Sequence, residues 1–146
     1  MSKADKAEEL FKTYNCAQSA AAAFAEDFGL DKEKALQAAV GFGGGFGREQ
    51  EVCGAISGAI IALGLASGFK ENSGRDKINE VYAKVRKFMG EFKEKNGSVH
   101  CLDLLDGCVL NTDEGHKYFV EHNLRSRCSG YVRSACDLLE KFIKET

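Results

Sequence analysis

The chain of 146 residues has the length and composition of one ordinary globular domain, with 44% hydrophobic residues, 29% charged residues and a formal net charge of -2. That charge balance argues against a nucleic-acid-binding protein, which would carry a basic surplus, so we expect no nucleic-acid partner. The chain contains no proline. Because proline is the commonest helix breaker, and because Ala, Lys, Glu and Leu are frequent, the composition predicts an all-helical (all-α) fold.

The apolar spacing and the capping signals predict a single domain over residues 1–146 with about seven helices. We expect seven helices, over residues 4–14, 16–28, 32–40, 51–66, 74–95 and 99–105 and from residue 126 onward, and the variable segment 106–124 could add one more around 113–121. Asn15, Asp31, Ser98 and Ser126 are the expected N-caps, and Gln18 stands at the capping-box position after Asn15.

The N-terminal residues 1–9 are charged and lack the apolar core of a signal peptide, so we expect a cytoplasmic protein. Residues 52–69 form the longest uncharged stretch, but glycine, serine and cysteine dilute it. This stretch predicts a central Gly/Ala-rich buried helix, and no membrane span. Small residues four positions apart, at Gly54 and Gly58, predict that a neighbouring helix backbone packs closely against it.

The glycine-rich run 41–47 is predicted to be a loop rather than a helix. Gly43, Gly44 and Gly45 could fold into a nest of N–H groups suited to an anion or to the sulfides of a cluster. A tight connection between two helices, with no ligand, is the alternative. The run lacks the Lys-Ser/Thr ending of a phosphate-binding loop, so nucleotide binding is disfavoured.

Four of the six cysteines are expected where helices begin: Cys16 at the first position, Cys53 in or just before a first turn, Cys101 at the third position and Cys128 at the second. The start of a helix carries free N–H donors and partial positive charge. We therefore expect these thiols to be deprotonated more easily than an ordinary thiol. Buried cysteines that only fill space are the alternative for each of them.

The sequence gives weaker indications of a functional role for the other two cysteines. Cys136 lies in the apolar stripe of the last helix and is predicted to be a small core residue. Cys108 belongs to a loop, where it is either a redox partner of Cys101 or a thiol without a role. His116 and His122 are expected at the surface. The chain has no C-x-x-C-H, which excludes covalent c-type haem, and no C-x-x-C, which removes the zinc-ribbon and thioredoxin signatures.

Four segments of the chain resemble the motifs of the C_GCAxxG_C_C family of redox-active proteins. They are residues 11–20 (FKTYNCAQSA), residues 43–45 with 53–58 (GGG and CGAISG), residues 98–105 (SVHCLDLL) and residues 128–132 (CSGYV). The resemblance implies four functional cysteines, Cys16, Cys53, Cys101 and Cys128, and leaves Cys108 and Cys136 as extras. The family is also similar to part of split-Soret cytochrome c, where cysteines accompany haem and an iron–sulfur site. Without a haem-attachment motif, only the cysteine site carries over to this chain.

Three functions remain open from the sequence. In the first, the four cysteines converge and bind an iron–sulfur cluster, or alternatively zinc, for electron transfer with a redox partner protein that the sequence does not identify. Backbone N–H groups at the helix starts and at Gly43, Gly44, Gly45 and Gly54 would then contact the cofactor. In the second, a pair of the four thiols cycles between dithiol and disulfide. In the third, the domain is structural and the cysteines only pack.

Overall fold

Helices build the whole architecture, as the composition predicts. The computed structural model describes residues 1–144. The helical segments in that range are α1 (Lys3–Phe11), α2 (Cys16–Ala25), α3 (Lys32–Ala39), α4 (Gly43–Phe46), α5 (Gly54–Ala66), α6 (Gly74–Asn96), α7 (Cys101–Leu104), α8 (Asp113–Glu121) and α9 (Leu124–Lys144). Short 3-10 turns, Glu26–Phe28 and Val40–Phe42, follow α2 and α3. Because α4 is a single turn with left-handed residues inside, eight regular helices remain in the described range.

Local capping chemistry fixes the start of α2 and α3 as predicted. Asn15 Oδ1 accepts a hydrogen bond from the Gln18 N–H at 2.9 Å, and Gln18 Oε1 accepts one from the Asn15 N–H at 3.0 Å. This reciprocal pair satisfies two backbone donors that the helix itself leaves free. Asp31 caps α3 by accepting from the Lys34 N–H at 2.8 Å. Helix α2 stops at Ala25 rather than at residue 28, since the chain tightens into a 3-10 turn there.

Helix α5 is the central buried helix that the uncharged stretch predicts. It packs along α2 and also contacts α6 and α9. Gly58 allows the close approach to α2, because a Cβ at this position would overlap the carbonyl oxygen of Ala17. The small-residue spacing therefore has the predicted effect. Nowhere in residues 1–144 is a helix both long enough and apolar enough to cross a membrane.

A dense aromatic core lies where α6 packs against α9. Phe88 and Phe142 pack edge to face with their ring centroids 5.7 Å apart, and Phe92 and Leu139 are fully buried. Cys136 belongs to the same core and has no exposed surface, which confirms the prediction of a core residue. We call Phe88, Phe92, Leu139 and Phe142 the aromatic end of the molecule.

Candidate functional site

Two extended segments pair antiparallel through a single bridge, just before α5 and just before α7. The N–H of Cys53 donates to the carbonyl oxygen of Val99 at 2.8 Å, and the N–H of Cys101 donates to that of Glu51 at 2.7 Å. This pairing holds Cys53 beside Cys101 although 47 residues separate them in sequence (101 − 53 − 1). The sequence analysis gave no sign of it, since one bridge needs no alternating strand pattern.

Three of the four predicted cysteines lie where helices begin. Cys16 is the first residue of α2 and Cys53 occupies the N-cap position of α5, as predicted. Cys101 is the first residue of α7 rather than the third, because the pairing keeps the preceding residues extended. Ser98 is therefore not the N-cap, and its hydroxyl accepts from the His100 N–H at 3.0 Å instead.

The predicted position of Cys128 is wrong. Helix α9 begins at Leu124, so Cys128 is its fifth residue and lies a full turn inside. The chain reverses at Asn123, whose backbone is left-handed with a φ of 49°, and the buried Leu124 then starts the helix early. Ser126 does not cap the helix, and its hydroxyl donates to the carbonyl of Asn123 at 2.8 Å.

All four of these cysteines nevertheless line one cavity of about 500 Å³. Cys16 comes from α2, Cys53 from the start of α5, Cys101 from α7 and Cys128 from α9. Four separate elements thus bring thiols to a common space. The fold produces this convergence, and no short motif in the sequence encodes it.

The cavity wall carries basic groups and, within residues 1–144, no carboxylate. Arg48, Arg125 and His116 line it, whereas no Asp or Glu does. Arg125 is held in place by Phe11: its guanidinium carbon lies 4.0 Å from the ring centroid, and it donates a hydrogen bond to the Phe11 carbonyl. A wall of this charge favours an anionic occupant, because opposite charges attract strongly in a partly desolvated site.

The glycine-rich run forms a left-handed turn beside the cavity, which agrees with the prediction of a non-helical loop. Residues 44–48 all have φ between 60° and 69°. Gly43 and Gly44 line the cavity, whereas Gly45 lies behind them, where a Cβ would come within 2.7 Å of the Gln50 Cα. Phe46 and Arg48 share the left-handed backbone, which costs about 1–2 kcal/mol for each non-glycine residue. Strain of this kind is often concentrated at functional sites.

Gly54 makes room for the Cys16 thiol. It lines the cavity, and a Cβ at this position would overlap Cys16 Sγ and lie 3.0 Å from the carbonyl oxygen of Phe42. The glycine of the Cys53-Gly54 pair is thus required sterically next to a cavity thiol. Its predicted contact with a cofactor stays a prediction.

Burial affects the pKa of the Cys53 thiol more than its position at the start of a helix does. Desolvation raises the pKa of this thiol far above its ordinary value, and the nearby Cys16 adds to the rise. The backbone N–H groups of Ala55 and Ile56 lower the pKa of this thiol, but they do not compensate for burial. The expectation of an easily deprotonated thiol is wrong here, since the charged form loses its hydration.

The same correction applies to two more cavity thiols. Burial, followed by the charge of Cys16, raises the pKa of Cys101 to about 11 and that of Cys128 to about 12. Arg125 and Arg127 lower the pKa of Cys128 without reversing the shift. With no metal bound, these thiols are therefore protonated at neutral pH and are poor nucleophiles.

Neither a preformed metal site nor a disulfide is present among the described residues. No group of three or more His, Cys, Asp or Glu side chains within residues 1–144 is arranged to hold a metal ion, and all six cysteines are free thiols. Cys108 is buried next to Cys101 in a small cluster with Leu105 and Leu124. Its thiol donates to the carbonyl of Gly115 at 3.2 Å, so Cys108 is held as a thiol with a partner of its own.

Arg48, Arg125 and Tyr131 on the cavity wall were not predicted from the sequence. Arg125 stands three positions before Cys128, a spacing that places both on one helix face, and this signal was available. Tyr131 also lines the cavity, and its hydroxyl donates to the carbonyl of Leu104 at 2.8 Å. Gln50 is buried beside Cys101 with no sequence signal to mark it. The histidines are exposed as predicted, although His116 reaches the cavity rim.

Comparisons with known proteins agree with the family that the four motif segments indicate. A family profile described as "Putative redox-active protein (C_GCAxxG_C_C)" matches residues 14–142. An uncharacterized protein of Archaeoglobus fulgidus is 37% identical over 158 aligned residues, which cover 99% of this chain and 98% of that protein. No solved structure matches the chain, so the similarity to split-Soret cytochrome c stays a prediction. The chain belongs to the C_GCAxxG_C_C family.

Proposed function

We propose that Cys16, Cys53, Cys101 and Cys128 hold an iron–sulfur cluster through which the protein exchanges electrons with a partner protein. The observation that carries this proposal is that the four motif cysteines, from four elements, line one cavity. Four thiolates are the usual ligand set of [2Fe–2S] and [4Fe–4S] clusters. The cluster would supply a one-electron carrier that the side chains alone lack.

We rank an iron–sulfur cluster above a single zinc ion. Zinc needs all its thiolate ligands at about 2.3 Å from one point. No three candidate ligands among residues 1–144 are placed that way, although four cysteines line the cavity. A cluster contains several iron atoms, so its ligand sulfurs stand farther apart than those around a single ion. The cavity of about 500 Å³ has space for such a group.

The surroundings of the cavity suit an anionic cluster. Arg48 and Arg125 line it without a neighbouring carboxylate on the wall, and Cys53 occupies the N-cap position of α5, where helix N–H groups are free. Hydrogen bonds to ligand sulfurs and positive charge both stabilise the added electron. We assign the same role to the backbone of the glycine turn on the cavity wall. Metal coordination would also deprotonate thiols that burial otherwise keeps neutral.

A thiol–disulfide function is the second candidate, because Cys101 and Cys108 lie in the same buried cluster. In that reaction the two thiols would lose two electrons and two protons to form a disulfide, while a partner disulfide is reduced to two thiols. Burial raises the pKa of Cys101 to about 11, which disfavours the thiolate that must attack. We therefore rank this function below cluster binding.

Reconstitution without oxygen tests the proposal. The protein is incubated with iron and sulfide, and its iron, acid-labile sulfide and visible absorption are measured. We expect a coloured protein whose bound iron falls several-fold in Cys16→Ser, Cys53→Ser, Cys101→Ser and Cys128→Ser. Cys136→Ala is the matched control, because it removes a buried thiol that lies off the cavity. It should retain the iron.

Two outcomes would contradict cluster binding. One is a colourless, metal-free wild-type protein with four freely titrating thiols after reconstitution. The other is a Cys101–Cys108 disulfide, detected by mass spectrometry over a range of thiol–disulfide buffers, in protein that binds no iron. This second result would support the thiol–disulfide function instead.

A further inference from the structure

Helix α9 carries three arginines, and the one that lines the cavity differs from the other two. The guanidinium groups of Arg127 and Arg133 lie 2.6 Å and 2.8 Å from an aspartate oxygen. Arg125 makes no ion pair with a carboxylate of residues 1–144; it stacks on the Phe11 ring and donates to the Phe11 carbonyl. These contacts hold the guanidinium in place without neutralising its charge.

Arg48 is a second cation of this kind on the wall of the same cavity. Its side chain packs over Gly44, since a Cβ at Gly44 would lie 2.7 Å from the Arg48 Cγ. It has no carboxylate partner in the part of the chain that the structure describes. Glu49 and Glu51, its neighbours in sequence, do not line the cavity. Two uncompensated positive charges, from distant parts of the chain, therefore lie on one wall.

The cavity has an inner part lined by buried thiols and an outer part lined by these exposed cations. Cys53 and Cys101 are only 7% and 8% exposed, whereas Arg48 and Arg125 are both exposed residues. His116, which is also exposed, lines the same cavity. A solute that enters from the solvent therefore meets the positive charges before it meets the thiols.

Exposed apolar side chains line the cavity together with the cations. Val40 is 56% exposed and Val120 is 63% exposed, and both belong to the cavity wall. Covering such surface stabilises a complex in proportion to the apolar area removed from water. The cavity of about 500 Å³ is also in the usual range of small-molecule sites. Because a guanidinium matches a carboxylate through two parallel hydrogen bonds, this combination fits an organic acid.

We propose that the outer part of the cavity binds a small organic carboxylate, with its anionic group on Arg125 and Arg48 and its apolar body against Val40 and Val120. This site goes beyond the proposed function and does not require the cluster, since neither arginine is a proposed cluster ligand. The bound carboxylate would lie between the solvent and the four cysteines.

Titration of the iron-free, full-length protein by proton–nitrogen NMR tests the site. Benzoate and hexanoate are the carboxylate probes, benzyl alcohol has an apolar body without the charge, and inorganic phosphate has the charge without an apolar body. We expect saturable shifts with a carboxylate probe at the backbone amides of residues 43–48 and 116–125. Benzyl alcohol and phosphate should each bind about tenfold more weakly or worse.

Two results of this titration would overturn the proposal. One is the absence of saturable shifts in these segments with both carboxylate probes. The other is phosphate binding as tight as that of the carboxylates, which would show that charge alone is recognised.

Arginine variants locate the anionic group. We expect Arg125→Gln to raise the dissociation constant of the carboxylate about tenfold, because a charge-assisted hydrogen bond is lost. Arg48→Gln should raise it less, since Phe11 fixes only Arg125. Arg133→Gln is the matched control, because Arg133 lies on the same helix, off the cavity, and is paired with Asp5. Wild-type affinity in folded Arg125→Gln would overturn the site.

This experiment separates the site from the cluster. If wild-type protein binds the carboxylate but takes up no iron on reconstitution, the cluster proposal fails and the carboxylate site stands. If the protein takes up iron but the iron-free form binds neither carboxylate probe, the site fails and the cluster proposal stands.

Discussion

The two ends of the molecule are built in opposite ways. At the aromatic end, Phe88, Phe92, Leu139 and Phe142 fill the space between regular helices and leave almost no surface exposed. At the cysteine end, which we define as the four-cysteine cavity with residues 43–54 and 99–110, a space of about 500 Å³ remains and the backbone is left-handed at several residues. The difference indicates that one end supplies stability, while the other keeps a strained and open arrangement for its chemistry.

Removing an aromatic side chain should produce the largest loss of stability and leave the cavity alone. Phe88 is 1% exposed and packs edge to face on Phe142. We expect Phe88→Ala to lower the free energy of unfolding by about 3–5 kcal/mol, because it leaves a void in a packed core. Urea unfolding checks this value. Loss of bound iron in Phe88→Ala that is still folded would show that the two ends are not independent.

Helix α5 begins at the cysteine end and contacts α6 and α9, which carry the aromatic end. Two of its glycines distinguish the effect of close helix packing from the effect of helix propensity. A Cβ at Gly58 would overlap the backbone of Ala17, whereas one at Gly64 would meet nothing within 4 Å. We expect Gly58→Ala to cost about 1–3 kcal/mol through overpacking. Gly64→Ala should stabilise the protein by about 0.5–1 kcal/mol, as alanine does in a helix. Equal thermal midpoints for the two variants would contradict the close α2–α5 contact.

The buried thiols of the cysteine end should make the iron-free protein less stable at alkaline pH. The pKa of Cys101 is raised to about 11, whereas an unfolded thiol has a pKa of about 8.5. At pH values below the pKa of the unfolded state, the full contribution of the Cys101 thiol to stability is present. Between the two values only the unfolded state loses the proton, so stability falls by at most about 1.4 kcal/mol per pH unit.

Denaturant unfolding of reduced, iron-free protein at several pH values measures this slope. The free energy of unfolding of Cys101→Ala should fall less steeply with pH than that of wild type between about pH 9 and pH 11. Ser134→Ala, which removes a buried polar group without a thiol, should follow the wild-type slope. A Cys101→Ala profile parallel to wild type would mean that this thiol is not desolvated in solution.

The smallest effect should come from a surface pair that joins α1 to α9. Arg133 lies 2.8 Å from Asp5, and with Ser2 it holds the pKa of the Asp5 carboxyl below its ordinary value. Because the folded pKa is depressed, this contribution is present above the unfolded pKa of about 3.9 and is lost as pH falls through the folded value.

Asp5→Asn should therefore flatten the acid side of the stability profile slightly, with no change in bound iron. Thermal midpoints at about pH 7 and about pH 3 measure the difference from wild type. A larger effect at neutral pH than the Phe88→Ala effect would contradict the weak contribution expected of an exposed ion pair.

Local signals predicted the helices well, and long-range pairing limited the prediction of the site. The Asn15–Gln18 capping box and the bounds of α8, Asp113–Glu121, depend on residues close in sequence, and both are confirmed. The motifs identified the four cysteines that line the cavity. The bridge before α5 and α7 pairs distant residues, so it left no local trace and shifted the start of α7. The prediction of easily deprotonated thiols failed for a similar reason, since the burial that raises their pKa depends on the whole fold.

The hydrogen bond between Cys53 and Val99 also determines at what stage of folding the cavity can form. The whole of α6 lies between these residues, so the chain must close a long loop before the two segments meet. During synthesis Cys16 and Cys53 leave the ribosome first, and Cys128 follows only when the chain is nearly complete. From the addition of Cys53 until that of Cys101, the nascent chain carries only two of the four thiols. Because the four cysteines are spread over most of the chain, we expect their site to form late in folding, after the helices that surround it.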